Sequence, residues 1–163
     1  MKNLICMLSV INYHHISMIS LLDCLTHRLL ETNPELYYQI LVRLLENGVN
    51  NIANIINNTS VYRTWFSSHL ICLGYLVGDK ANNERQNTVG IQYYGCNTVI
   101  SQELGINIFK KLIALGGDIN IRNYYGDSLV SITSPDYNDA STLTQRINNS
   151  EFKTVVQTYC SDN

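Results

Sequence analysis

Thiols and imidazoles are the side chains here best suited to chemistry, and four of them fall between residues 14 and 27: His14, His15, Cys24 and His27. In Cys24-Leu-Thr-His27 the two candidate ligands stand at i and i+3. On one helix that spacing would turn both to the same face, as a zinc site requires of paired ligands. Zinc needs about four ligands to converge, and a second closely spaced Cys/His pair is missing. The pair is therefore read as a core thiol beside a helix-surface imidazole. A nucleophilic cysteine wants a helix N-terminus or a glycine-rich elbow, and Cys96 in Tyr94-Gly95-Cys96 is the candidate with a glycine beside it. That glycine is also what a turn needs. No phosphate-cradling glycine loop, paired-carboxylate spacing or calcium-loop pattern occurs. No cofactor or metal is expected, and the function is expected to be non-enzymatic.

The elements that must position these residues read as helices. Apolar residues at three- and four-residue steps (Ile16, Ile19, Leu22, Leu25, Leu29, Leu30) predict one helix over residues 16–30. Asn33 as N-cap and Pro34 at the first helical position open a second, over 36–47, with Gly48 placed to end it. A third runs from Ser60 to about Leu76, with Gly78 as its stop. Residues 79–97 are polar and without period, and read as a loop. Two short antiparallel helices, 98–104 and 107–115, are predicted on either side of Gly105, and Gly116-Gly117 ends the second by accepting positive φ. A helical turn over 128–132 stops at Ser134-Pro135. Helices over 140–147 and 151–159 follow, the last capped by Ser150. Almost nothing alternates with period two, so the fold class expected is all-α.

The bulk properties narrow the partners. The chain has 163 residues, 45% hydrophobic and 15% charged, with a net charge of −2. That size suits one domain, and the charge provides no basic field for nucleic acid. No run approaches the about 20 apolar residues that span a bilayer. The opening apolar run ends at Asn12 without a small-residue cleavage site, so no secretory signal is expected. Cys6, Cys24, Cys72, Cys96 and Cys160 are odd in number and scattered, which fits reduced thiols in the cytoplasm or nucleus. Eleven tyrosines against three phenylalanines is a skewed aromatic usage.

The most patterned run is Gly116-Gly-Asp-Ile-Asn-Ile-Arg-Asn-Tyr-Tyr-Gly126-Asp-Ser128. Its second half, Tyr124-Tyr125-Gly126-Asp-Ser128, echoes Tyr93-Tyr94-Gly95-Cys-Asn-Thr98, with the glycines 31 residues apart. Leu44-Leu-Glu-Asn-Gly48 likewise echoes Leu112-Ile-Ala-Leu-Gly116, 68 residues on, near two periods of the ~33 residues of an ankyrin unit. The run resembles the ankyrin repeat. Gly116-Gly117-Asp118-Ile119-Asn120 stands where that family has Gly-Ala-Asp-Val-Asn. Gly126 stands at its turn glycine and Ser128-Leu129-Val130-Ser131 at its Thr-Pro-Leu-His. The likeness is clearest over residues 108–132. The unit from Thr98 to Gly116 is three residues shorter than the family pattern, and Glu103-Leu104 replaces its alanine pair.

The resemblance implies a short solenoid of antiparallel helical pairs joined by hairpin-like loops, clearest over residues 93–132. It implies a protein-interaction module, as in host-directed proteins of large DNA viruses and intracellular bacteria or in the repeat regions of fungal transcription complexes, among which the sequence does not choose. Gly116, Gly117, Asp118 and Gly126 would build the turn. Tyr93, Tyr94, Arg122, Tyr124, Tyr125 and Asp127 would project from hairpin tips toward another protein, while Leu112, Ile113 and Leu115 would hold the stack. The alternative is a compact helical domain with a metal- or thiol-dependent activity at Cys24/His27 or Cys96.

Overall fold

The structure is a computed structural model and describes residues 22–58, 60–77, 100–134 and 150–162. Its regular elements are helices: α1 (His27–Thr32), α2 (Pro34–Asn58), α3 (Ser60–Leu76), α4 (Gln102–Ala114), α5 (Leu129–Thr133) and α6 (Ser150–Asp162). Among the described residues the only strand-like pairing is a parallel bridge between Val77 and Ile100. The all-α expectation holds.

Local chemistry explains the helix starts. Thr26 is extended (φ −106°, ψ 157°) and its hydroxyl accepts from the Leu29 N–H, so α1 begins at His27. A helical turn at 22–24 ends just before it, through bonds from Leu25 N–H to Leu22 O and from Thr26 N–H to Cys24 O. The single helix predicted over 16–30 is therefore broken at Leu25 and Thr26, because Thr26 caps a new helix rather than continuing an old one. Asn33 then serves two helices. Its N–H closes α1 on Leu29 O at 2.8 Å, and its side-chain Oδ1 accepts from Leu36 N–H at 3.1 Å to open α2.

Two glycines read as breaks lie inside helices. Gly48 does not end α2, which continues to Asn58. Glycine costs a helix interior only about 1 kcal/mol relative to alanine, and ten further helical residues outweigh that. Gly48 and Gly116 consequently differ in backbone, since Gly116 has φ +92°. Gly105 does not split residues 98–115 into an antiparallel pair. Ser101 caps one continuous helix, α4, with Gly105 in its second turn. A Cβ at Gly105 would come within 2.4 Å of Val77 Cγ2, so the missing side chain lets α4 approach the end of α3. Ser150, expected as a cap, is the first residue within α6.

The helices share one core. α3 packs against α1, α2, α4 and α5, while α4 also meets α2 and α6, and α5 meets α6. A helix with four neighbours must be apolar on most sides, and α3 buries Phe66, Leu70, Ile71, Cys72, Leu73 and Leu76. From α4, Ile108, Phe109 and Leu112 join it, and Phe109 meets Phe152 and Tyr159 of α6 edge to face. Gln102 Oε1 accepts from the Phe152 N–H at 2.9 Å and fixes the start of α6 against α4. No helix among the described residues is long and apolar enough to cross a membrane.

Candidate functional site

The segment between α4 and α5 is a folded turn. At its entry Gly117 N–H bonds Leu112 O and Gly116 N–H bonds Ile113 O, the paired bonds of a Schellman stop, with Gly116 at φ +92°. The two glycines do different work. Gly116 supplies the left-handed residue, whereas a Cβ at Gly117 would lie 2.9 Å from Leu70 Cδ1 and 3.0 Å from Leu112 O. Asp118 follows at a junction of three bonds. Its N–H donates to Ser67 Oγ at 2.8 Å, its Oδ1 accepts from Asn120 N–H at 2.9 Å, and its Oδ2 takes the Arg63 guanidinium. Burial alone would raise the Asp118 pKa, but the Asn120 N–H and the Arg63 charge outweigh it and hold the carboxyl below its ordinary value of 3.8.

The distal half is closed by Asn123. Its backbone O accepts from Gly126 N–H at 3.0 Å, and its Oδ1 accepts from both Tyr125 N–H and Asp127 N–H. Asn at the first position and Gly at the fourth is the composition a type I turn favours. Gly126, at φ +85°, then lets the chain return so that Asn123 N–H reaches Asp127 O at 2.8 Å. Arg122 bends back to donate to Gly126 O. Ser128 and Ser131 cap each other's backbone at the start of α5, a capping box with serine in place of the usual acidic partner.

What this turn presents is aromatic. Tyr124 and Tyr125 sit at its two central positions, 98% and 81% exposed, with their rings edge to face at 5.6 Å. They are the large hydrophobic side chains exposed among the described residues. Asp127 does not project as expected. Its carboxylate accepts the Tyr75 hydroxyl of α3, which draws it toward the helices. Arg122 is exposed but already braces the turn. Leu112 and Leu115 are buried, and Ile113 is half-buried against the same core. Tyr93, Tyr94, Cys96 and the loop expected at residues 79–97 lie outside the described residues, as does the helix expected at 140–147.

Arg63, Ser67 and Tyr75 carry the turn from α3, and sequence reasoning missed all three. Arg63 and Ser67 stand four apart on one face of α3, a local signal, but Thr64, Ser68 and His69 are polar on the same helix and nothing in the spacing singles out Tyr75.

The Cys24/His27 reading changes as well. The two residues lie on opposite sides of the helix break at Leu25 and Thr26, not on one helix. His27 is not a surface imidazole: it is half-buried, with its Nε2 3.0 Å from Ser68 Oγ and its ring 4.1 Å from that of His69. Cys24 is half-buried against the core. Among the described residues no group of three or more histidine, cysteine, aspartate or glutamate side chains stands together as a metal would need. Neither a family model, nor a curated protein, nor a solved structure matches the chain.

Proposed function

We propose that this protein is a non-enzymatic interaction module that captures another protein through the Tyr124–Tyr125 turn. The observation that carries the reading is the contrast between a pair of solvent-exposed aromatic rings and the backbone beneath them, held by Asn123, Arg122, Asp127 and Asp118. Rings as exposed in the folded chain as in the unfolded one add little to folding, whereas a tyrosine covered by a partner buries a large area with little side-chain entropy to lose. A turn already closed by hydrogen bonds has less to order on binding, so more of the contact energy appears as affinity. The ankyrin resemblance supports the same reading, because that family recognises partners with such turns. A stack of ankyrin-like units, with the concave helix face as a second contact, belongs to this proposal. So does a reducing compartment, cytoplasm or nucleus, which five scattered cysteines, odd in number, favour.

A photo-crosslinking residue placed at Tyr125 tests the proposal. It is expected to yield one discrete adduct in cell extract, competed away by unlabelled protein but not by protein carrying Tyr124→Ala and Tyr125→Ala. The same residue at Glu151, exposed on α6, is expected to yield none. Equal adducts at both positions, or competition by the double variant, would remove the turn from the interface.

A further inference from the structure

The tyrosine turn leaves one buried polar cluster unused. His69 of α3 is fully buried, and its surroundings come from three helices. From α2, the Tyr37 hydroxyl lies 2.6 Å from Nδ1. From α1, the His27 ring stands 4.1 Å away. On α3 itself Trp65 meets the ring edge to face at 5.1 Å, and Cys72 acts on the Tyr37 phenol. The remaining ring nitrogen, Nε2, is buried without a hydrogen-bond partner.

Hydrogen bookkeeping fixes the other imidazole. The Ser68 hydroxyl has one proton and donates it to Trp65 O at 2.6 Å, so toward His27 its oxygen can only accept. His27 therefore donates from Nε2 and, when neutral, keeps an open lone pair on Nδ1. Two imidazoles thus tie three helices together, α1 to α3 through Ser68 and α3 to α2 through Tyr37.

We propose that His27 and His69 form an acid-sensitive latch, which holds α1 against α2 and α3 while both rings are neutral and releases it when they are protonated. A proton on His69 would be buried beside an unpaired nitrogen, and a second on His27 would stand one ring away. Among the described residues no carboxylate forms an ion pair with either ring. Tyr37 is kept protonated by burial, and on α1 the carboxyl of Glu31 is raised by burial and lies under the influence of Arg28.

The direction follows from the pKa shifts. Burial lowers both histidines from the ordinary 6.5, offset for His27 by a hydrogen bond to Ser68; His69 falls to about 3, with the His27 charge as second cause. A released α1 returns both to ordinary behaviour and so binds more protons than the latched form between about 3 and 6.5. Latching is complete above the ordinary value and weakens as pH falls toward the folded one.

Trp65 is the only tryptophan in the chain and touches His69, so its fluorescence reports the latch directly. In an acid titration of the full chain we expect a Trp65 transition below pH 6.5. The helical circular-dichroism signal should be largely kept. Exchange of the Leu29 and Leu30 amides, corrected for intrinsic rate, should accelerate while that of Gly116 and Gly117 does not. The pH dependence of that opening should correspond to about two protons in the wild type and about one in His27→Gln. The double variant His27→Gln, His69→Gln should show no transition in this range. An unchanged proton number in His27→Gln overturns the latch, as does loss of helix signal in the same step as the Trp65 change. If His69→Gln does not fold, the half-buried His27→Gln decides the question alone.

Discussion

Gly126 has φ +85° with no atom within 4 Å of where a Cβ would stand, so a side chain there meets open space and the whole cost is in the backbone. Gly126→Val is expected to lower stability by about 1–2 kcal/mol, the penalty for placing a β-branched residue in the left-handed region. Gly126→Asn should recover most of it, since asparagine visits that region. Urea denaturation of the two variants makes the comparison, and equal losses would mean that space rather than φ is limiting. Asp118 gives a pH test at the same scale. Its pKa is lower folded than unfolded, so its contribution is present above 3.8 and lost as pH falls through the folded value. Asp118→Asn should therefore flatten the fall in stability as pH drops below 3.8, and an unaltered slope would show that Arg63 and Asn120 do not hold the carboxylate. Gly116, Gly126 and Ser128 were legible in the sequence because their work is local: a stop, a left-handed residue, a cap. The partners that orient the turn and the histidines were not. Tyr37 and His69 are 32 residues apart, Tyr75 and Asp127 52, and Arg63 and Asp118 55, distances across which a single sequence carries no pairing signal.

At the scale of elements the apolar periodicity located the described helices, and the glycines misled where they end. Gly105 has the composition of a break and the geometry of a contact. Alanine in its place should gain about 1 kcal/mol of helix propensity and lose more by collision with Val77, leaving a net loss of about 1–3 kcal/mol. Val77→Ala in the same chain should recover part of that loss. A double-mutant cycle by chemical denaturation reads the coupling, and additive effects would place the two residues out of contact. Gly48 shows the reverse case, a glycine that neither stops its helix nor turns the chain. Its echo of Gly116 is thus a likeness of letters and not of backbone. Thr26 is the third lesson: a break between residues 16 and 30 was written as a single capping hydroxyl within a stretch whose apolar period runs on uninterrupted.

The whole molecule is arranged around α3, which contacts α1, α2, α4 and α5. One side of it, through Arg63, Ser67 and Tyr75, carries the tyrosine turn; His69 binds α1 and α2. The core beneath and the rings above should separate by mutation. Leu112 is fully buried, and Leu112→Ala is expected to cost about 2–5 kcal/mol of stability through the cavity it leaves. Tyr124 and Tyr125 bury almost nothing, so replacing both with alanine should leave the melting temperature and helix content close to wild type. The measurement that bears most directly on the proposed function is the affinity of the crosslinked partner, per folded molecule, for these two variants beside the wild type. The turn reading predicts that the double tyrosine variant loses about 1–3 kcal/mol of binding while folding normally, and that Leu112→Ala binds like wild type in its folded fraction. Full affinity in the folded double variant, or unfolding caused by the tyrosine changes themselves, would contradict it.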